Sequence, residues 1–126
     1  MPDSELNEWH YRLAWAYFDA EDYDAAIDHY LTVARAGKKY AAASYYNAAC
    51  AGARKLVEEK NAGVRHALVR DAVENLRRAW DATADPAEKQ TLLRGLEGDE
   101  EERDPDLAPL TGTQELRALI RELRAG

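Results

Sequence analysis

A chain of 126 residues and 14.2 kDa is long enough for one domain with a real core and too short for two ordinary ones. Its formal net charge of -7 argues against nonspecific nucleic-acid binding, which depends on Lys and Arg neutralising phosphates. No apolar run approaches the roughly 18 residues that a membrane span requires.

Charged residues make up 33% of the chain and hydrophobic ones 46%, with Ala leading the latter, a composition that suits closely packed helices better than strands. A single cysteine cannot form an internal disulfide, which fits a reducing compartment. The opening residues, Met1 to Glu5, are acidic and lack an apolar h-region, so no signal peptide is expected. These features point to a cytoplasmic protein.

In chain order, Ser4 or Asp3 is a plausible N-cap, and Leu6, Trp9, Leu13, Ala16 or Tyr17 and Ala20 recur at helical spacing. The first helix is therefore expected over about 4–20. Glu21 and Asp22 form a turn, and a second helix follows over about 23–36, with Ala26, Ile27, Tyr30, Val33 and Ala34 inward and Gly37 as its stop. A third helix starts near Lys39 and meets no breaker before Asn61 and Gly63, which would make it on the order of 30 Å long. The fourth, over about 64–83, presents Val69, Ala72, Val73, Leu76, Ala79 and Trp80 on one face. Asp85 and Pro86 read as an N-cap and a first helical residue opening a short fifth helix to about Arg94. The stretch 95–112, with its glycines, prolines and acids, reads as an irregular connection in which Leu107 and Leu110 are candidate anchors. A last helix, about 113–124, carries Leu116, Leu119, Ile120 and Leu123 as an apolar stripe that needs a surface to cover, so the C-terminus should dock.

Charge is unevenly spread. Residues 1–34 hold eight acids against one Arg, 35–80 hold ten Lys or Arg against four acids, and 97–106 hold seven acids against Arg103. One reading is solvated helix faces with an acidic loop. The other is a complementary contact between the acidic first helices and the basic middle, within or between chains.

The two helix pairs also repeat. In the first, "LAWAYFDAEDYDAAIDHYLTV" places Leu13, Ala14 and Tyr17 before Ala26, Ile27, Tyr30 and Val33, and in the second Ala48 and Ala49 precede Ala72, Val73, Leu76 and Ala79. This resembles the tetratricopeptide repeat, strongly over 7–38 and less closely over 41–82, where "ARKLVEEKNAG" adds about eleven residues and Gly52 stands where an aromatic is usual. "YYNAAC" followed by "DPDLAPL" and a terminal amphipathic helix further resembles the segment that closes bacterial tetratricopeptide arrays. The resemblance implies an all-α fold of antiparallel helix hairpins stacked as a short right-handed superhelix, with repeat one over about 4–37, repeat two over about 39–84 and a capping segment over about 85–126. Two repeats fall short of the three usually needed for a stable stack, so the capping segment would supply the third layer, or dimerisation would.

Chemical motifs are scarce. No Gly-rich phosphate loop is present, His10, His29 and His66 fit no helical metal-ligand template, and Asp19, Asp22, Asp24 and Asp28 lack the central Gly of a calcium loop. No cofactor, metal site or catalytic residue is assigned. The aromatic pattern says more: Tyr11, Trp15 and Phe18 form a second stripe on helix one, so that helix must be covered twice or expose a binding surface. In the family's arrangement the first helix of each pair lines a groove, which implies groove positions at Tyr11, Trp15 and Asp19, and at Tyr46, Cys50, Ala53 and Arg54. Asn47 matches an Asn that peptide-binding members often use on a ligand backbone. A carboxylate clamp is not expected, because Tyr11 and Trp15 occupy its Lys and Asn positions.

The partner-binding set is therefore Tyr11, Trp15, Phe18, Tyr46, Asn47 and Arg54, in a noncatalytic protein-protein interaction module that binds a peptide or partner helix. Two other readings stand beside it: a self-assembling subunit, dimer or higher, that buries the same aromatic face or pairs opposite charges, and a redox or nucleophilic role for Cys50. The last needs an exposed thiol of lowered pKa, and Ala49, Ala51 and Gly52 supply no base.

Overall fold

The computed structural model describes residues 3–37, 39–98 and 101–125. Six α-helices and one 3-10 helix pack against one another, with no strand among the described residues: α1 (Asp3–Asp19), α2 (Tyr23–Arg35), α3 (Ala41–Leu56), α4 (Ala62–Ala82), α5 (Pro86–Glu97), the 3-10 turn Pro105–Leu110, and α6 (Gln114–Ala125).

The helix starts are written in side chains that accept orphan N–H groups. Asp22 takes Ala25 N–H, Asn61 takes Val64 N–H, Asp85 takes Ala87 N–H ahead of Pro86, and Thr113 Oγ1 takes Leu116 N–H. The N-cap expected of Ser4 or Asp3 falls outside the described side chains, and acids 99 and 100 of the acidic run lie outside the described residues. Gly37 has φ +68, the left-handed conformation that its stop position calls for.

The third helix ends earlier than expected, at Leu56, which makes it 16 residues and about 24 Å long. Arg65 explains the stop: its Nη1 donates to the carbonyls of Leu56 (2.8 Å) and Glu59 (2.6 Å), rewarding a turn there. The extra residues thus form a turn and lengthen α4 to 21 residues.

Helices α1 to α4 pack in chain order, each against the next, and the pairs Phe18–Tyr23 and Tyr11–Tyr30 mark α1 and α2 as antiparallel. Helix α3 is the centre of the molecule. Its residues Ala48, Ala49, Cys50, Ala51, Gly52 and Ala53 are all buried, one after another, so neighbours cover it on every side. A helix covered all round packs closely only if its side chains are small, which accounts for the Ala-rich composition of this stretch. Ala48 and Ala51 belong to a core shared with Ala14, Ala26 and Tyr30. Ala49, Cys50, Ala53 and Leu56 belong to a second core with Leu76, Leu110 and Leu119.

Of the stripe expected on α1, Leu6, Trp9, Leu13, Ala16 or Tyr17 and Ala20, Tyr17 packs against the core while the innermost position falls to Ala14. Ala14 is fully buried, whereas Leu6 and Trp9 are 43% and 52% exposed. Ala14 wins the inner position because a methyl lets α1 approach α2 and α3 closely, where an indole would hold them apart. The C-terminus docks as expected: Leu116, Leu119 and Leu123 are buried, each contributing about 2 kcal/mol of apolar burial. Arg77 of α4 reaches Glu122 of α6 at 2.8 Å across the same junction.

Candidate functional site

The six residues singled out from sequence lie on α1 and α3, and the structure divides them. Trp15 is 60% exposed. Tyr11 is half-buried, stacked on Tyr40 at 4.7 Å and edge-on to Tyr30 at 5.8 Å, and its hydroxyl accepts from Asn47 Nδ2 at 3.2 Å. Phe18 is half-buried, edge-on to Tyr23 at 5.6 Å, and packs against both cores.

The residues on α3 meet the chain's own closing segment. Tyr46 donates to Asp104 Oδ2 at 2.6 Å, and Arg54 contacts Asp106 at 3.3 Å and the Tyr23 hydroxyl at 3.4 Å. Gly95 permits the first of these contacts, since a Cβ there would stand 3.3 Å from the Tyr46 hydroxyl. Cys50 and Ala53 share a core with Leu107 and Leu110. Residues 104–110 thus fill the expected groove over Tyr46, Cys50 and Ala53, whereas Asn47 turns to Tyr11, Arg54 stays exposed, and Trp15 on α1 is largely open to solvent.

Cys50 is 3% exposed, and its sulfur lies within 4.8 Å of carboxylate oxygens of Asp104 and Asp106. Burial, and then the two nearby carboxylates, push the thiol pKa far above its ordinary value. The thiolate needed for nucleophilic or metal chemistry is therefore strongly disfavoured. Both carboxylates are already engaged: Asp104 accepts from Tyr46 and from Asp106 N–H, and Asp106 faces Arg54. A cation bound among these three would have to displace Arg54 and break the Tyr46 hydrogen bond. For Arg54, the hydrogen bond to Tyr23 leads the interactions that raise its pKa, so it remains a cation.

No family model, curated protein or solved structure matches the chain. The functional reading therefore rests on the geometry and on the residues.

Two features escaped the sequence reading. His10 Nδ1 and His29 Nδ1 are 3.0 Å apart, with Tyr17 stacked on His29 at 5.4 Å. Folding the first hairpin about its turn at 20–22 brings residue 10 within about one helical turn of the level of residue 29, so the helix boundaries held part of the signal. The second is a cleft of about 760 Å³ where the α1–α2 turn, the end of α3 and the 3-10 turn meet, lined among others by Glu21, Tyr23, Val57, Glu58 and Pro105. Its walls come from three distant parts of the chain, and nothing local announces it. Lys55 meets Asp24 there at 2.6 Å, so the basic middle and the acidic first hairpin make direct contact within one chain.

Proposed function

We propose that this chain is a noncatalytic binding module of tetratricopeptide-like design, two helix hairpins closed by a capping segment, which holds a peptide or partner helix against Trp15. The exposed indole of Trp15 carries the reading. Its neighbours Tyr11 and Phe18, one turn before and after, are held by Tyr40, Tyr30 and Tyr23. An exposed Trp on a rigid aromatic base is the kind of anchor that dominates small interfaces. The cytoplasm, where peptide-binding scaffolds meet unfolded segments, is the proposed setting.

Panning a random-peptide library against the immobilised chain, followed by calorimetric titration of the selected peptides, tests the proposal. Micromolar affinity is expected, falling by about thirtyfold in Trp15→Ala, the loss of a hot-spot side chain, with the helical circular dichroism unchanged. Equal affinity in the variant would remove Trp15 from the site and the proposal with it.

A second reading, self-assembly, draws on Leu6 and Trp9, which are three residues apart on α1 and both exposed. A single monomeric mass by light scattering at high protein concentration would eliminate it.

A further inference from the structure

We infer that the cleft between the α1–α2 turn, the end of α3 and the 3-10 turn receives a cationic polypeptide segment, one with Lys or Arg on either side of an apolar residue. The inference rests on the binding-module reading in one respect only, that the occupant is a polypeptide.

Charge comes first. The cleft is lined by five acids and two cations, and both cations are already engaged within the chain: Lys55 pairs with Asp24, and Arg54 with Asp106 and Tyr23. Glu21, Glu58 and Glu59 form no ion pair among the described residues. Asp22 is occupied in capping α2. The surplus is negative, on a protein whose net charge is -7. An approaching cationic chain is attracted at long range and held at short range.

Shape selects among cations. The carboxylates of Glu21, Glu58 and Glu59 do not converge: the cluster of ligand atoms within 4.8 Å of one another elsewhere in the described chain is Cys50, Asp104 and Asp106, and none of the three glutamates belongs to such a group. Among the described residues, no three carboxylates of this cleft converge on one point as ligands of a single metal ion. Spread charges call for several spaced cations, which a basic peptide carries. Between the acids lie apolar surfaces, Val57 at 66% exposure together with Pro105 and Pro109, against which an apolar side chain of that peptide would rest. The volume, about 760 Å³, is in the ordinary range for a binding cleft.

Glu21 has φ +64, a left-handed conformation that glycine or asparagine usually fills. The strained position carries a carboxylate at the lip of the cleft.

The test is fluorescence anisotropy of a labelled short peptide in which Arg and Lys flank a central Leu, with a counterpart in which Glu replaces each basic residue. The basic peptide should bind, the acidic one should not, and raising the salt should weaken the complex. The double reversal Glu21→Lys with Glu58→Lys, at two exposed positions, should reduce affinity by about tenfold or more while leaving the thermal transition intact. No binding of the basic peptide, or binding indifferent to salt and to the reversal, overturns the inference, as does equal binding by the acidic peptide. Trp15→Ala separates the two sites: sensitivity to charge reversal with indifference to Trp15→Ala supports the cleft while removing Trp15 from the binding of this peptide.

Discussion

Tyr46 and Asp104 stand 58 positions apart in the chain and meet in a 2.6 Å hydrogen bond, with the phenol donating to a half-buried carboxylate. The same aspartate donates its backbone N–H to the Gly95 carbonyl at 3.0 Å and caps the 3-10 turn through Asp106 N–H. One side chain of the central helix thereby fixes where the long connection crosses it. Tyr46→Phe should destabilise the fold by about 2 kcal/mol, the range for a hydrogen bond to a charged group. Urea denaturation in a double-mutant cycle with Asp104→Asn is the measurement, and a coupling indistinguishable from zero would show that the bond contributes nothing.

Alkaline pH should weaken the protein, and the sign follows from proton counts. Burial raises the pKa of the Cys50 thiol above its ordinary 9.0 and that of the Tyr46 phenol above its ordinary 10.0; the Asp104 hydrogen bond adds to the effect at Tyr46. Above those ordinary values the unfolded chain releases protons that the folded chain still holds, so unfolding gains from each further pH unit, by on the order of 1 kcal/mol per group. The stability from these groups is complete below about pH 8.5 and declines as pH rises beyond it. Thermal melts between pH 8 and 11 should show the decline, with Cys50→Ala delaying its onset. A profile that is flat or rising over that window would contradict the assignment.

Ser44 is fully buried, and its hydroxyl has no hydrogen-bond partner among the described residues. Ser44→Ala removes an uncompensated polar atom and improves helix propensity, so stability should increase by about 1 kcal/mol. A loss of similar size in chemical denaturation would mean that the hydroxyl does have a partner.

Glu21→Gly should also stabilise, by about 1 kcal/mol, because glycine adopts φ +64 without the Cβ contact that strains glutamate. The same substitution takes a carboxylate from the cleft, so affinity for a basic peptide should fall as stability rises. Opposite signs in the two measurements would mark Glu21 as a position where binding is favoured at the expense of the fold. Lower stability would show that its side chain makes a contact worth more than the strain.

The helices were largely legible because their signals are local. Asp85 and Thr113 announce helix starts through side chains that reach their own next turn, and Leu116, Leu119 and Leu123 announce a buried face by spacing alone, whereas Asn61, read as a breaker, proves to cap α4. The end of α3 was not, since the residue that satisfies its last carbonyls, Arg65, lies on the next helix.

The candidate site was legible in part. Sequence separated Trp15 and Phe18 from the rest of α1 as a second apolar stripe, but could not say that Phe18 would be packed and Trp15 left exposed. Spacing also put Leu6 and Trp9 on the inner face of α1, where they are exposed, whereas Ala14 and Tyr17, which the repeat pattern paired, do meet the core. A helix with large apolar residues on several sides gives no local criterion for which side faces in, and the neighbours' closeness of approach decides.

By itself, then, the sequence determined an all-helical chain, its approximate helix boundaries and the docking of its last helix, because capping and amphipathic spacing act within a few residues. Tertiary structure alone decided that residues 104–110 would cover Tyr46 and Cys50, that His10 would meet His29, and that an acidic cleft would open beside Val57. Each of these joins side chains from separate elements, and such contacts exist only once the helices have packed.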